Sequence, residues 1–350
     1  MTLNTRRVFY VNRPSHPVFV EILGRRADVQ LDHLVNDSAD AVAEPILAQA
    51  HAYQIGATRD ELALKYHGTA ALLARTPNLL AISSNGAGYD TVDVAACTAA
   101  GVAVVNQTGG NKEGVAEHVM AMMLTLSKRI IETDRFMRRQ PGIPRVEFMG
   151  HDVIGRTIGI VGIGNIGSRV AELCRGLFRM RVLAYDPYLD HAAIAARGAE
   201  KVTLDELLGE SDYVSVNCPR TAETRGMIGA QQYALMRPGA YFITTARGGI
   251  HDETALAEAL AAKRIAGAGL DVWEKEPPDP AHPLLRFDNV LVSPHTAGVT
   301  HESRHNMGRF AAEQMLDILD GKRPPRLVNP AVWPLYRQRF ERILGFPAAA

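Results

Sequence analysis

The sequence predicts an α/β protein of two parallel-sheet domains, the second inserted into the first. Three observations carry this. Short apolar runs alternate with helical patterns through both halves of the chain, which is how parallel sheets with helical crossovers read. A strand, a Gly-x-Gly-x-x-Gly turn and a helix follow one another from Ile158 to Arg175, near mid-chain. Long helical patterns flank that unit, Glu113 to Met137 before it and His301 to Leu319 after it, so the chain leaves a first domain and returns to it. The expected bounds are 1–110 with 300–350 for the first domain, and 111–299 for the inserted one with its connecting helix. A chain of 350 residues has room for both cores.

Val8-Phe9-Tyr10-Val11 opens the chain as a buried strand, and Val29-Gln30-Leu31 follows as a second. Ala41 to Ala50 has helical spacing, and Tyr53 to Gly56 reads as the next strand. Asp60 to Leu64 and Ala70 to Leu73 are helical pieces stopped by Pro77. Leu79 to Ser83 is a strand running into Asn85-Gly86-Ala87-Gly88. Val92 to Ala100 is a helix with Gly101 as its stop, and Val102 to Val105 is another strand. The apolar positions Val115, Val119, Met122, Met123, Leu126, Ile130 and Ile131 predict one long helix over Glu113 to Met137, then a proline-punctuated loop from Arg138 to Pro144. Past the glycine turn, strands are expected at Arg181–Tyr185, Tyr213–Asn217, Ala240–Thr244, Ile265–Leu270 and Asp288–Val292. Helices are expected at Asp205–Leu208, Ala230–Met236 and Asp252–Lys263. The tail from Trp333 is amphipathic enough to dock on an unidentified surface.

Bulk properties narrow the function. Basic and acidic residues balance at 38 each, which gives no footprint for nucleic acid. The N-terminus lacks the apolar core of a signal peptide and no apolar run reaches membrane-spanning length. Cys97, Cys174 and Cys218 are too few and scattered for a disulfide framework or a metal site. The expectation is a soluble cytoplasmic protein without a metal.

The glycine turn points to a dinucleotide. Gly162 permits the tight turn, Gly164 lets backbone approach a pyrophosphate, and Gly167 lets the helix pack on the strand. The helix N-terminus adds N–H groups and a positive dipole end. The next strand ends in Asp186, about twenty residues on, where a carboxylate accepts from a ribose 2′-OH and repels a 2′-phosphate. NAD is therefore expected over NADP. A nicotinamide enzyme acting on a hydroxy or keto acid also needs a cation for the carboxylate and a tuned acid/base. Arg247, Glu276 and His295 each follow a strand of the inserted domain, at the edge where such groups belong. Singly, each has a bland reading: an ion-pair arginine, an exposed glutamate, a surface histidine.

Gly86-Ala87-Gly88-Tyr89-Asp90, Val115-Ala116-Glu117-His118, the fingerprint with Asp186, Ala246-Arg247-Gly248-Gly249, Leu270-Asp271-Val272, Glu276-Pro277 and Pro294-His295-Thr296-Ala297-Gly298 occur in that order. Together they resemble the D-isomer-specific 2-hydroxyacid dehydrogenase family over roughly Ile55 to Pro330. The resemblance implies two Rossmann-like domains: a discontinuous, flavodoxin-like substrate domain and an inserted doubly wound NAD-binding domain. It implies interconversion of a 2-keto acid and a D-2-hydroxy acid, with Arg247 on the substrate carboxylate and His295, paired with Glu276, as acid/base. It implies cofactor contacts at Asn165, Ile166, Cys218, Pro219, Thr224, Thr245, Ala246, Arg247, Asp271, His295 and Gly298, besides Gly162, Gly164, Gly167 and Asp186. Substrate contacts are implied at Asn85, Gly86, Ala87, Gly88 and Arg247. It also implies a homodimer formed around the long helix and the loop through Pro144, and hinge closure between the domains.

The chain departs from the family pattern in places. Gly114 stands where Ser or Thr is common, and the usual tryptophan of the Pro144 loop is missing. Lys112 reads either as a substrate contact that selects a second anionic or polar group, or as a solvated residue at a helix start, where a cation opposes the dipole. Two rival functions stay open: a short phosphoglycerate dehydrogenase, and an NAD(H)-sensing corepressor-like protein of the same fold. Formate or phosphite oxidation suits Arg247, Glu276 and His295 less well.

Overall fold

The computed structural model describes residues 5–142 and 145–349. Ile143 and Pro144, the end of the expected loop, lie outside the described residues, as does the extreme N-terminus. The chain divides into two compact units, residues up to Asn111 with those from Thr300 onward, and Lys112–Val299.

The first unit is a five-stranded sheet of β1 (Arg6–Val11), β2 (Val29–Leu34), β3 (Ala52–Ile55), β4 (Ala81–Ser84) and β5 (Ala103–Val105). Its order is β2-β1-β3-β4-β5 and every pairing is parallel, the flavodoxin-like arrangement. Such a sheet is buried on both faces, and β1 shows why its sequence is a continuous apolar run. Val8 packs with Phe19, Leu23, Ala311 and Met315 on one face, while Phe9 packs with Leu47, Tyr53 and Val104 on the other. Phe9 stacks on Tyr53 at 4.1 Å. The helix His301–Leu319 covers the first of these faces against a helix at Val18–Leu23, which the sequence reading did not anticipate.

The tail does not seek an outside surface. The helix Trp333–Leu344 lays Tyr336, Phe340 and Leu344 on Leu80, Ala81, Ala103 and Val105 of its own unit. Trp333 stacks on Tyr336 at 4.6 Å.

The second unit is a seven-stranded sheet of β6 (Thr157–Val161), β7 (Arg181–Tyr185), β8 (Glu200–Lys201), β9 (Tyr213–Val216), β10 (Tyr241–Thr244), β11 (Gly267–Leu270) and β12 (Val290–Val292). The order β12-β11-β10-β9-β6-β7-β8 is parallel throughout. The chain reverses direction across the sheet between β6 and β9, the switch point at whose carboxyl edge ligands of such sheets bind.

The expected long helix is two helices. Lys112–Ser127 buries Ala116, Val119, Met120, Met122, Met123 and Leu126 against the sheet. It stops at Ser127, and Ile130–Arg139 begins after Arg129, which takes a left-handed conformation at φ +52°. The cause lies beyond the helix. The Ser127 carbonyl accepts from His151 N–H at 2.8 Å, and Gly150 lies so close that a β-carbon there would be 2.3 Å from that oxygen. The Ser127 hydroxyl turns back to Met123 O at 2.6 Å and meets the Tyr213 hydroxyl at 2.9 Å. The apolar spacing continued past Ser127, but a returning chain claimed the carbonyl. No helix among the described residues is long and apolar enough to cross a membrane.

Phe340 is 0% exposed, so Phe340→Ala should destabilise the first unit by about 3–5 kcal/mol, through lost transfer energy and the cavity left behind. Urea unfolding followed by Trp333 fluorescence checks this. A loss below about 1 kcal/mol would mean that the tail helix is not part of that core.

Candidate active site

Each fingerprint glycine has a physical reason. Gly162 sits at φ +86°, and a β-carbon there would lie 2.8 Å from the Cys218 nitrogen. At Gly167 a β-carbon would lie 2.3 Å from the Gly162 carbonyl oxygen, so the helix Asn165–Phe178 approaches the strand end without one. At Gly164 a β-carbon would meet nothing within 4 Å, so the space outside the turn is open. Gly164 caps the helix without a side-chain bond, which leaves the first-turn N–H groups of Asn165, Ile166 and Gly167 for an anion. A cleft of about 380 Å³ opens there, lined by Gly164, Asn165, Ser168, Arg197 and Lys112. Lys112 therefore belongs to the surroundings of the glycine turn, with Glu113 3.8 Å away and Glu172 lining the same cleft.

Asp186 is drawn into the same turn. One carboxylate oxygen accepts from Ile163 N–H at 3.2 Å and the other from Tyr188 N–H at 3.1 Å. The Tyr188 hydroxyl donates to Glu223, a contact missed in the sequence. Cys218 packs under Gly162, and burial pushes its thiol up to about 11 with help from the Asp186 charge. It is a packing thiol. Thr224 closes a local turn, its hydroxyl donating to Pro219 O at 2.7 Å and accepting from Thr221 N–H at 2.8 Å. Asn217 Oδ1, Thr244 Oγ1 and Thr245 Oγ1 lie buried without a hydrogen-bond partner at the ends of β9 and β10. An open glycine cradle, a flanking acid and unmatched polar atoms at a switch point fit a bound dinucleotide.

The acid/base candidates meet at the same edge. Arg247 follows β10, and Glu276 and His295 lie on the loops after β11 and β12. Gly248 makes this possible: a β-carbon there would be 1.7 Å from the Trp273 carbonyl oxygen, so the two loops cross in contact. Glu276 is fixed through both oxygens, Oε1 accepting from Trp273 N–H at 3.1 Å and Oε2 lying 2.8 Å from His295 Nδ1. Burial alone would push its carboxyl up. The His295 hydrogen bond and charge, the Trp273 N–H and the Arg247 charge outweigh that and hold it below its ordinary 4.5. Arg247 is half-buried, with Nη1 donating to the Ala246 carbonyl at 2.7 Å. Because Glu276 engages Nδ1, His295 has Nε2 for a reacting oxygen.

His295 itself stands at φ +55°, an uncommon conformation for a side-chain-bearing residue. Asp271, 0% exposed, holds it there. The Asp271 carbonyl accepts from His295 N–H at 2.7 Å. Its carboxylate accepts from Thr296 N–H at 2.8 Å, Ala297 N–H at 3.0 Å and the Ser293 hydroxyl at 2.6 Å. Gly298 lies in the turn that follows, closed by Val299 N–H on Thr296 O at 2.8 Å.

In the first unit the glycine turn after β4 is tightly wired. Asn85 Oδ1 accepts from Ser15 Oγ at 2.7 Å and Gln54 Nε2 at 2.6 Å, and Gly86 N–H donates to Gln107 Oε1 at 2.6 Å. The Ala87 and Gly88 carbonyls accept from Asn106 Nδ2 at 2.8 Å and Ser84 Oγ at 2.7 Å. The N–H groups of Ala87 and Gly88 have no partner among the described residues, and successive N–H groups of this kind make an anion-binding turn. Asn106, Gln107, Ser15 and Gln54 were not legible as its supports.

Residues 120–297 match the family model described as D-isomer specific 2-hydroxyacid dehydrogenase, NAD binding domain. The chain is 38% identical over 84% of its length to a D-3-phosphoglycerate dehydrogenase of Archaeoglobus fulgidus, spanning only 60% of that protein. It is 40% identical over 75% of its length to a glyoxylate reductase of Korarchaeum cryptofilum, 80% of which is covered. Among solved structures, D-lactate dehydrogenase from Aquifex aeolicus complexed with NAD and lactic acid superposes with a TM-score of 0.78 at 29% identity, covering 92% of this chain and 99% of that one.

The Asp186 carboxylate beside the glycine turn sets a cofactor preference. Juxtaposing a 2′-phosphate with this carboxylate costs several kcal/mol, so NADPH should bind about a hundredfold more weakly than NADH. Asp186→Ala should narrow that gap. Equal dissociation constants for the two in the unaltered protein, measured by nicotinamide fluorescence, would contradict the assignment.

Proposed function

The chain belongs to the D-isomer specific 2-hydroxyacid dehydrogenase family, and from that premise we propose that it interconverts a 2-keto acid and the D-2-hydroxy acid using NAD(H). The observation that carries this is the 2.8 Å contact of Glu276 with His295 Nδ1, at the edge where Arg247 emerges. Arg247 binds the substrate carboxylate through its planar guanidinium fork. Within the first unit, the N–H groups of Ala87 and Gly88 can hold an anion of their own. When bound, NADH supplies the hydride that C2 of the keto acid accepts. His295 Nε2 donates a proton to the carbonyl oxygen as it becomes a hydroxyl, and Glu276 stabilises the imidazolium that gives it. In the oxidative direction the neutral imidazole takes that proton back. Gly162, Gly164, Gly167 and the Asn165–Ile166 N–H groups hold the cofactor's phosphates. Lys112, lining the same cleft, assists there as a counter-charge; this is the role we favour over selecting a second anion on the substrate.

Oxidation of NADH with glyoxylate, hydroxypyruvate, pyruvate, a longer 2-keto acid and 3-phosphohydroxypyruvate tests the reading. Turnover of any of them supports the enzyme, and the ranking names the substrate class. Tight NADH binding with no turnover of any would favour a sensor instead. The pH dependence tests the roles. Glu276 stays ionised through the neutral range because its carboxyl is held below 4.5, and reduction requires the imidazolium. Glu276→Gln removes the stabilising charge, so reduction should fail at a lower pH than in the parent protein. An unchanged pH–rate profile would sink the pairing.

We also propose a homodimer. None of the residues of the helix Ile130–Arg139 is buried, and Ile130, Met137, Val146 and Met149 are left exposed on it and just beyond it. A second copy covering them would remove that apolar surface from water. Sedimentation should give a dimer that Met137→Asp with Met149→Asp converts to monomer; a monomeric parent protein would refute this.

A further inference from the structure

The helix Lys112–Ser127 carries a histidine that the acid/base scheme does not use. His118 Nε2 lies 3.0 Å from Ser293 Oγ, and Ser293 Oγ lies 2.6 Å from Asp271 Oδ1. The protons can be assigned by counting. A serine hydroxyl has one proton, and at 2.6 Å from a carboxylate oxygen that proton must lie between the two, since otherwise two acceptors would face each other. Ser293 therefore donates to Asp271, and His118 Nε2 must donate to Ser293. The donor chain runs His118 to Ser293 to Asp271.

Ser293 is also a junction of the two loops that carry the chemistry. Its N–H donates to Leu270 O at 2.9 Å, and its carbonyl accepts from Trp273 Nε1 at 3.1 Å. Trp273 N–H in turn holds Glu276 Oε1 at 3.1 Å. Asp271, at the other side of the hydroxyl, holds the N–H groups of His295, Thr296 and Ala297. Leu270 and Val292 are register partners across β11 and β12, so Asp271 and Ser293 leave the sheet side by side. The helix bearing His118 packs on both of these strands. One hydroxyl group thus links the loop of Glu276, the loop of His295 and the helix.

We propose that His118 is a positioning residue for His295, acting through Ser293 and Asp271; this rests on the reading of His295 as the acid/base. The proton from His118 fixes the Ser293 hydroxyl toward Asp271, and that fixes the two backbone N–H groups by which Asp271 holds the His295 loop in its left-handed turn. A neutral donor suffices, so the role needs a side-chain N–H of the right length and not a charge.

His118→Leu removes the donor and His118→Gln replaces it with an amide N–H of similar reach. Loss of one such bond should lower kcat about tenfold in His118→Leu, with the dissociation constant of NADH unchanged, and His118→Gln should restore kcat to within about twofold of the parent. Ser293→Ala should give a similar loss, and His118→Leu added to it should cost nothing further, because the two act through one chain. The ring resonances of His295, read by NMR at fixed pH without turnover, should shift in His118→Leu and return in His118→Gln. If His118→Leu does not fold, His118→Asn, polar but a methylene too short, takes its place. Equal activity of the Leu (or Asn) and Gln variants, multiplying losses in the double variant, or an unmoved His295 resonance would overturn the proposal. Absence of turnover in the unaltered protein would instead count against the enzyme reading and leave the NMR comparison decisive for the chain of donors.

Discussion

A carboxylate with no exposed surface organises the chemical edge of the second unit. Asp271 could not be left in the interior unmatched, because a buried charge without donors is costly by several kcal/mol. Its donors come from Ser293, Thr296 and Ala297. The chain after β12 must therefore curl around it, and the residue at the centre of the curl is His295 at φ +55°. The unusual conformation of the histidine is thus a consequence of satisfying the aspartate, with the N–H of His295 on the Asp271 carbonyl closing the loop. Asp271 was expected to touch a cofactor. Within the described residues its carboxylate accepts from the Ser293 hydroxyl and from the backbone N–H groups of Thr296 and Ala297.

The second constraint is steric. Where β10 and β11 end, two loops must cross closely enough for Arg247 to influence Glu276, and only a residue without a β-carbon permits this at position 248, against the Trp273 carbonyl. The same logic repeats at Gly162 against Cys218 and at Gly167 against the Gly162 carbonyl. At Gly248 and Gly162 the missing side chain brings loops of different strands together, and at Gly167 it brings the helix onto the turn that precedes it. The glycines do more than loosen turns; they set the distances at which polar groups act.

These two constraints explain what was legible in the sequence. Strand–turn–helix order, the glycine spacing and Asp186 are local, and the doubly wound sheet follows from them. Arg247, Glu276 and His295 could be placed at strand ends, and the structure brings Glu276 and His295 into contact. What depended on distant chain was hidden. The break after Ser127 is caused by Gly150 and His151, which no periodicity of the helix can report. Glu223 meets the Tyr188 hydroxyl across 35 residues of chain. The supports of the Asn85–Gly88 turn, Ser15, Gln54, Asn106 and Gln107, come from three other segments. The tail helix looked unpartnered because its apolar face matches β4 and β5, far earlier in the chain.

Two carboxylates lie close to one histidine at this edge, and environment alone separates their work. Asp271 is enclosed and surrounded by N–H and O–H donors of fixed geometry, so its charge is consumed in holding backbone. Glu276 is only partly buried, has one backbone donor, and gives its other oxygen to an imidazole that can gain or lose a proton. Under the proposed role of His295, the second is the one placed to respond to a proton there, and the first is the one that holds the loop. Both residues follow the same strand, five positions apart, so sequence pattern could not tell the fixed charge from the responsive one. The difference is in the donors each collects, and those donors arrive with β12 and the loop after it. On the proposed role of His295, separating a static from a responsive carboxylate in this way would let the histidine pass a proton without losing its position.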